Sequence, residues 1–184
     1  APTVAFQVTV PALGTASYFI EQSKLSPVSP AAAQPWVVSP TPASAAAPLV
    51  LDNGIVKAQF SATTGLLESM TRAGVSVKVT QNLKYYHASD GSKGPNNPYA
   101  SQGAGGSGNY IFQPDGPTTY EFGKPVVTHV SGPVVSEVRH VFVEKSIEQV
   151  FRLYNGSDTL EVEYRVGPID ISDGKGKEVI SHFA

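Results

Sequence analysis

The run from residue 147 to residue 166 limits the fold more than any other stretch. Leu160, Val162, Tyr164 and Val166 alternate with Glu161, Glu163 and Arg165. Successive side chains of a strand point to opposite faces, so this segment has an apolar side and a charged side. The preceding run repeats the pattern, with Ile147, Phe151 and Leu153 on one side and Glu148 and Arg152 on the other. Tyr154-Asn155-Gly156-Ser157-Asp158 lies between them, and Asn-Gly supplies the positive φ that tight hairpins need. The two runs predict an antiparallel hairpin with Glu–Arg pairs across it.

The rest of the chain reads the same way, and no stretch has convincing helical periodicity. Strands are expected over 54–60 and 66–71, at Val75, Val77 and Val79, and over 83–87. Further strands are expected over 109–113, 118–122, 126–130 and 134–144. Short strands separated by Gly/Pro turns predict an all-β fold, an antiparallel β-sandwich, over residues 49–184. Two segments precede it. Residues 1–24 read as terminal strands of a preceding β-domain: Val4, Phe6, Val8 and Val10 alternate up to Pro11, and a second run follows over 17–21. That short β-hairpin is too small to bury its own face. Residues 25–48 read as a Pro/Ala/Ser-rich linker, with Pro27, Pro30, Pro35, Pro40, Pro42 and Pro48 favouring extended chain over helix or ladder. Trp36 is expected to pin that linker to a neighbouring surface. Residues 89–108 form a long Gly/Ser/Asn/Pro loop, of a length usually tied to function.

Composition narrows the function. The 184 residues include 13 basic and 15 acidic side chains with no basic stripe, which argues against nucleic acid or an anionic membrane as partner. The absence of cysteine excludes a disulfide scaffold and a thiolate metal site. No apolar run approaches the length of a membrane span. With neither a start methionine nor a signal peptide, the chain reads as a piece of a larger protein.

No complete catalytic set is visible. His87, His129, His140 and His182 are scattered and read as structural rather than metal-ligating. Glu161 and Glu163 belong to a solvated strand face. Asp170 and Asp173 sit where Asx-turns form, before Gly174. There is no nucleophile elbow, phosphate loop or dinucleotide fingerprint. One sequon, Asn155-Gly156-Ser157, falls at the hairpin tip, where a glycan would be accessible.

Several strings carry a resemblance, in order along the chain. They are Pro11-Ala12-Leu13-Gly14 with Tyr18, Leu51-Asp52-Asn53-Gly54, Thr64-Gly65-Leu66-Leu67 and Gln81-Asn82-Leu83-Lys84-Tyr85-Tyr86. Ser107-Gly108-Asn109-Tyr110-Ile111-Phe112-Gln113-Pro114, Gln149-Val150-Phe151-Arg152-Leu153-Tyr154 and the segment 167–183 complete the set. Together they resemble the lysosomal-type α-mannosidases, glycoside hydrolase family 38. The resemblance implies a mid-to-C-terminal part of a large enzyme, a galactose-mutarotase-like supersandwich cut short at its C-terminal side. It implies retaining hydrolysis of terminal α-linked mannose, with the catalytic carboxylates and a zinc ion in another domain and no cofactor in this chain. Partners would be other chains or domains of the same α-mannosidase and mannose-containing glycans. The setting would be the lysosome or vacuole, or outside the cell, with proteolytic processing as one origin of the chain. Matched residue by residue, Tyr110 is the tyrosine that lies near bound mannose in this family. The sequence departs from the family pattern at Lys145, Ser146 and Lys175 and in the glycine-rich loop over 90–106. Two other readings stay open: a free-standing β-domain that binds carbohydrate or protein without catalysis, and an assembly protein descended from the enzyme.

Overall fold

The computed structural model describes residues 6–19, 37–41, 47–89, 106–108, 110–142 and 146–184. All regular elements among these are β-strands: β1 (Val37–Thr41), β2 (Leu49–Asp52), β3 (Val56–Phe60), β4 (Leu67–Arg72), β5 (Val75–His87), β6 (Tyr120–Glu121), β7 (Val126–Ser131), β8 (Val135–Val141), β9 (Ile147–Tyr154), β10 (Leu160–Val166) and β11 (Lys177–Phe183). One sheet has the order β1-β7-β8-β9-β10 and the other β11-β5-β4-β3-β2, with β6 pairing to β5 as well. Every pairing is antiparallel. The result is the antiparallel sandwich that the alternation predicts.

The hairpin of β9 and β10 forms in the register its pattern demands, with Arg165 opposite Glu148 and Leu160 opposite Leu153. Arg165 bonds Glu148 at 2.8 Å, while Arg152 reaches diagonally to Glu163 at 2.8 Å. Ile147, Gln149, Phe151 and Leu153 turn inward and are buried. They meet the inner face of the other sheet in two clusters. Leu51, Val56, Ala58, Phe60 and Leu67 pack on Val127, Val138, Phe151 and Leu153. Leu83, Phe122, Phe142 and Ile147 make the second cluster. Each large side chain buried in this way contributes about 1.5–3 kcal/mol.

Between the clusters the interior is polar. Gln81 of β5 and Gln149 of β9 exchange amide hydrogen bonds across the two sheets, at 2.9 and 2.7 Å. Gln81 also donates to Ser181 of β11 at 2.9 Å. A buried amide is tolerated when its partners are present, and this reciprocal pair supplies them.

Four local readings change. First, part of the Pro-rich segment does form a ladder: β1 pairs with β7, placing Pro40 opposite Thr128. Its position at a sheet edge explains the tolerance, because an edge strand needs only half its N–H groups for the ladder. Second, Val75 to His87 is one 13-residue strand rather than two. Third, residues 110–113 form no strand; they belong to a turn that meets the sheet only at the Ala88–Pro114 bridge. Fourth, residues 6–19 hold no ladder. They fold back through Gly14 N–H to Pro11 O at 2.9 Å, Tyr18 OH to Thr9 O at 3.1 Å and an edge-on Phe6–Tyr18 contact. A lone two-stranded hairpin is marginal in water, and this stretch is exposed throughout. Trp36 and the body of the glycine-rich loop, 90–105, lie outside the described residues.

Candidate functional site

The end of β5 gathers the residues of most chemical interest. His87 closes the strand, and its ring packs at a tilt against Tyr120 at 4.2 Å and Tyr85 at 5.5 Å, which stack on each other. Parity along β5 sends Gln81, Leu83, Tyr85 and His87 to one face, so this aromatic group extends the inner face past the second apolar cluster. Asp173 lies 3.9 Å from His87 Nε2 and 3.0 Å from Lys177 Nζ. Next along the chain, Ala88 N–H donates to Gly176 O at 2.8 Å, and Asp115 N–H donates to His87 O at 2.8 Å. Residues 87–89 are thereby clasped between the turn before β11 and the segment 113–115.

Tyr110 stands on that clasp. Ser89 N–H donates to Gln113 O at 2.7 Å, and Ser107 N–H donates to Ser89 O at 3.0 Å. Gly108 N–H donates to Ile111 O at 2.9 Å, closing a tight turn. The Ser107 hydroxyl donates to Gln113 O at 2.8 Å and accepts from Gln113 N–H at 2.9 Å. Tyr110 projects from the tip with 99% of its surface exposed. Packing against the described residues therefore does not account for a tyrosine here.

The carboxylates behave as turn formers. Asp170 accepts from Ser172 N–H at 2.8 Å, and Asp173 accepts from Lys175 N–H at 3.0 Å. The Ser172 backbone and hydroxyl hold the Asp170 carboxyl below its usual range, and Lys177 followed by the Lys175 N–H does the same for Asp173. A general acid needs the opposite shift. Glu161 and Glu163 are exposed on the outer face. Among the described residues, no group of three or more His, Asp or Glu is placed to hold a metal ion.

The histidines separate by environment. His140 is fully buried, edge-on to Phe60, Phe142 and Phe151, and neither ring nitrogen has a hydrogen-bond partner. Burial pushes it down to about 4; an interaction with the Gly65 backbone, short of hydrogen-bond geometry, opposes that weakly. Burial also lowers His129. His182 lies on β11, half-buried. The sequence gives no sign that His140 would be an orphan in the core, because alternation reports the face and not the partners.

Asn155 sits at the other end of the sandwich, exposed in the β9–β10 turn, where Gly156 takes φ +78°. Asn53 holds this turn by donating to Tyr154 O and Ser157 O, both at 2.7 Å. The Asn155 backbone N–H donates to Val134 O at 2.8 Å, while its side-chain amide makes, among the described residues, only a 3.5 Å contact to Pro133 O. A cleft of about 90 Å³ beside it is lined by Asp52, Asn53, Pro133 and Ser136. That is room for about three waters, well short of a drug-sized ligand pocket.

Comparison with known proteins decides the family. The glycosyl hydrolases family 38 C-terminal domain matches residues 51–184. The chain belongs to glycoside hydrolase family 38. It is similar to the lysosomal alpha-mannosidase of Dictyostelium discoideum, 33% identical over 97% of this chain and 18% of the relative. It is also similar to the alpha-mannosidase of Canavalia ensiformis, 34% identical over 97% of this chain and 17% of the relative. The lysosomal alpha-mannosidase of Homo sapiens is 33% identical over 99% of this chain and 17% of its own length. This family 38 chain thus spans less than a fifth of the relatives it matches. Several relatives are named as lysosomal, which agrees with a lysosomal setting.

Proposed function

We propose that this chain is the β-sandwich part of a lysosomal α-mannosidase that removes terminal α-linked mannose from glycans, and that it adds Tyr110 to the substrate cleft. Similarity to α-mannosidases over nearly the whole chain carries this reading. The exposure of Tyr110 at the tip of a tied-down turn supports its part in it. A phenol there can donate a hydrogen bond to a sugar hydroxyl or to a catalytic carboxylate, holding it in a productive geometry. The catalytic aspartate, the acid/base carboxylate and zinc belong to a domain outside these residues. Zinc there would grip sugar hydroxyls.

The test has two parts. The native protein carrying this chain is isolated, its mass measured, and mannosidase activity and zinc assayed on the same sample. A mass far above that of this chain, with activity and zinc present, is expected. A free protein of this size without activity would favour a non-catalytic binding domain instead. In the active enzyme, Tyr110→Phe is expected to lower turnover at least tenfold with little change in melting temperature; unchanged kinetics would remove Tyr110 from the cleft. We also propose that Asn155 carries an N-linked glycan, since its side-chain amide is exposed and weakly engaged. Enzymatic deglycosylation should then shift the mass of the native protein by one glycan more than it shifts that of an Asn155→Gln variant; equal shifts would leave Asn155 unglycosylated.

A further inference from the structure

We infer that Ser107 is a positioning residue that acts through Tyr110, a step that rests on the reading of Tyr110 given above. An aromatic ring this exposed is only as well placed as the backbone beneath it. Here that backbone is a turn closed near its tip by Gly108 N–H to Ile111 O, and at its neck by the Ser107 hydroxyl together with Ser89. Ser107 Oγ both donates to Gln113 O and accepts from Gln113 N–H, at 2.8 and 2.9 Å. A side chain thereby takes the place of a backbone ladder pair. The same Gln113 carbonyl accepts from Ser89 N–H at 2.7 Å, and Ser107 N–H returns to Ser89 O at 3.0 Å. Three segments therefore close on one another: the end of β5, the residue before the turn and the residue after it.

The closure has a direction. Ser89 follows β5, which is anchored on its other edge by β11 and across the sandwich by the Gln81–Gln149 amides. Gln113 is buried, whereas Tyr110 and Ile111 are 99% and 66% exposed. The buried neck is the fixed part and the tip is the presented part. Removing the hydroxyl leaves the turn in place through the Ser89 bonds and loosens the angle at which its tip stands. A displacement of about 1 Å at a positioned group is enough to cost on the order of a hundredfold in rate.

The test is a double-mutant cycle in the complete active enzyme, using Ser107→Ala, Tyr110→Ala and both together, with Ser107→Thr as the hydroxyl-retaining control. Ser107→Ala is expected to lower kcat/KM at least tenfold, and Ser107→Thr to restore most of that loss. In the Tyr110→Ala background, Ser107→Ala should cost less than twofold, because no ring is left to misplace. Additive losses, or a Ser107→Ala enzyme with normal kinetics while Tyr110→Ala is slow, would overturn the positioning role and leave Tyr110 in the cleft. A normal Tyr110→Ala enzyme would overturn both. If Ser107→Ala is recovered in low yield, Ser107→Thr against Ser107→Val decides, since the pair differs in the hydroxyl at nearly constant shape. Equal rates for these two would end the inference.

Discussion

His140 is a base enclosed by aromatic rings, and its protonation is linked to folding. Its pKa in the folded chain is about 4, below the ordinary 6.5, because burial penalises the charged ring. The unfolded chain therefore takes up the proton first as pH falls. The stabilisation is complete above about pH 6.5, declines through the lysosomal range and is gone near pH 4. The full span is worth about 3 kcal/mol. In His140→Leu, the urea midpoint should fall much less between pH 7 and pH 4.5 than in the parent; an equally steep fall would assign the acid sensitivity to other groups. Gly65 offers a second residue-level test. It adopts φ +75°, and a Cβ there would lie 2.5 Å from Val127 Cγ2. Gly65→Ala combines backbone strain with a clash in the core and should cost about 2–4 kcal/mol by denaturant unfolding. Val127→Ala on top of it should return part of that loss. The sequence shows the Thr64-Gly65 turn plainly. It cannot show that Val127, far along the chain, closes over it.

The strands were legible wherever apolar and charged residues alternate. The β9–β10 hairpin follows its pattern residue for residue because one face is buried and a slip would expose it. The segment 109–113 misled because Tyr110, Ile111 and Phe112 have the side chains of a strand, while the Ser107–Gln113 bonds close them into a turn. The Pro-rich segment misled in the opposite sense, since composition does not reveal that β7 offers a free edge. The outer face of β8, β9 and β10 supplies an element-level test. Glu137 faces outward yet is buried beneath Arg152 and Arg139, whose Nε atoms lie 2.6 and 2.7 Å from its oxygens. Burial alone would raise its pKa, but the two guanidinium groups outweigh that and hold it below the usual range. Arg152 also contacts the exposed Glu163. Glu137→Ala should cost about 2 kcal/mol by leaving two arginines without their shared anchor, whereas Glu163→Ala should cost under about 0.5 kcal/mol. Equal losses would mean that burial does not set the strength of this network.

At the scale of the molecule, the two leaves are joined unevenly. β10 and β11 are both edge strands, and the inner faces they extend are open there. Val162 and Tyr164 on β10 are 36% and 57% exposed, and Phe183 on β11 is 58% exposed. Val75 and Val77 of β5 are also exposed, although Val77 pairs with Met70, which packs on the core. Isolated from the rest of its protein, the chain should therefore self-associate at micromolar concentration. Val77→Thr with Tyr164→Thr should reduce that association in sedimentation measurements; no change would place the contact elsewhere. The middle of the interface is secured differently. Oil-like surfaces can slide past one another at little cost, but paired amides cannot: moving either leaf one step would break both bonds between Gln81 and Gln149, leaving Gln81 only its tie to Ser181 in its own sheet. The molecule thus has a fixed alignment mark at its centre, and whatever the far end of β5 presents is indexed to it.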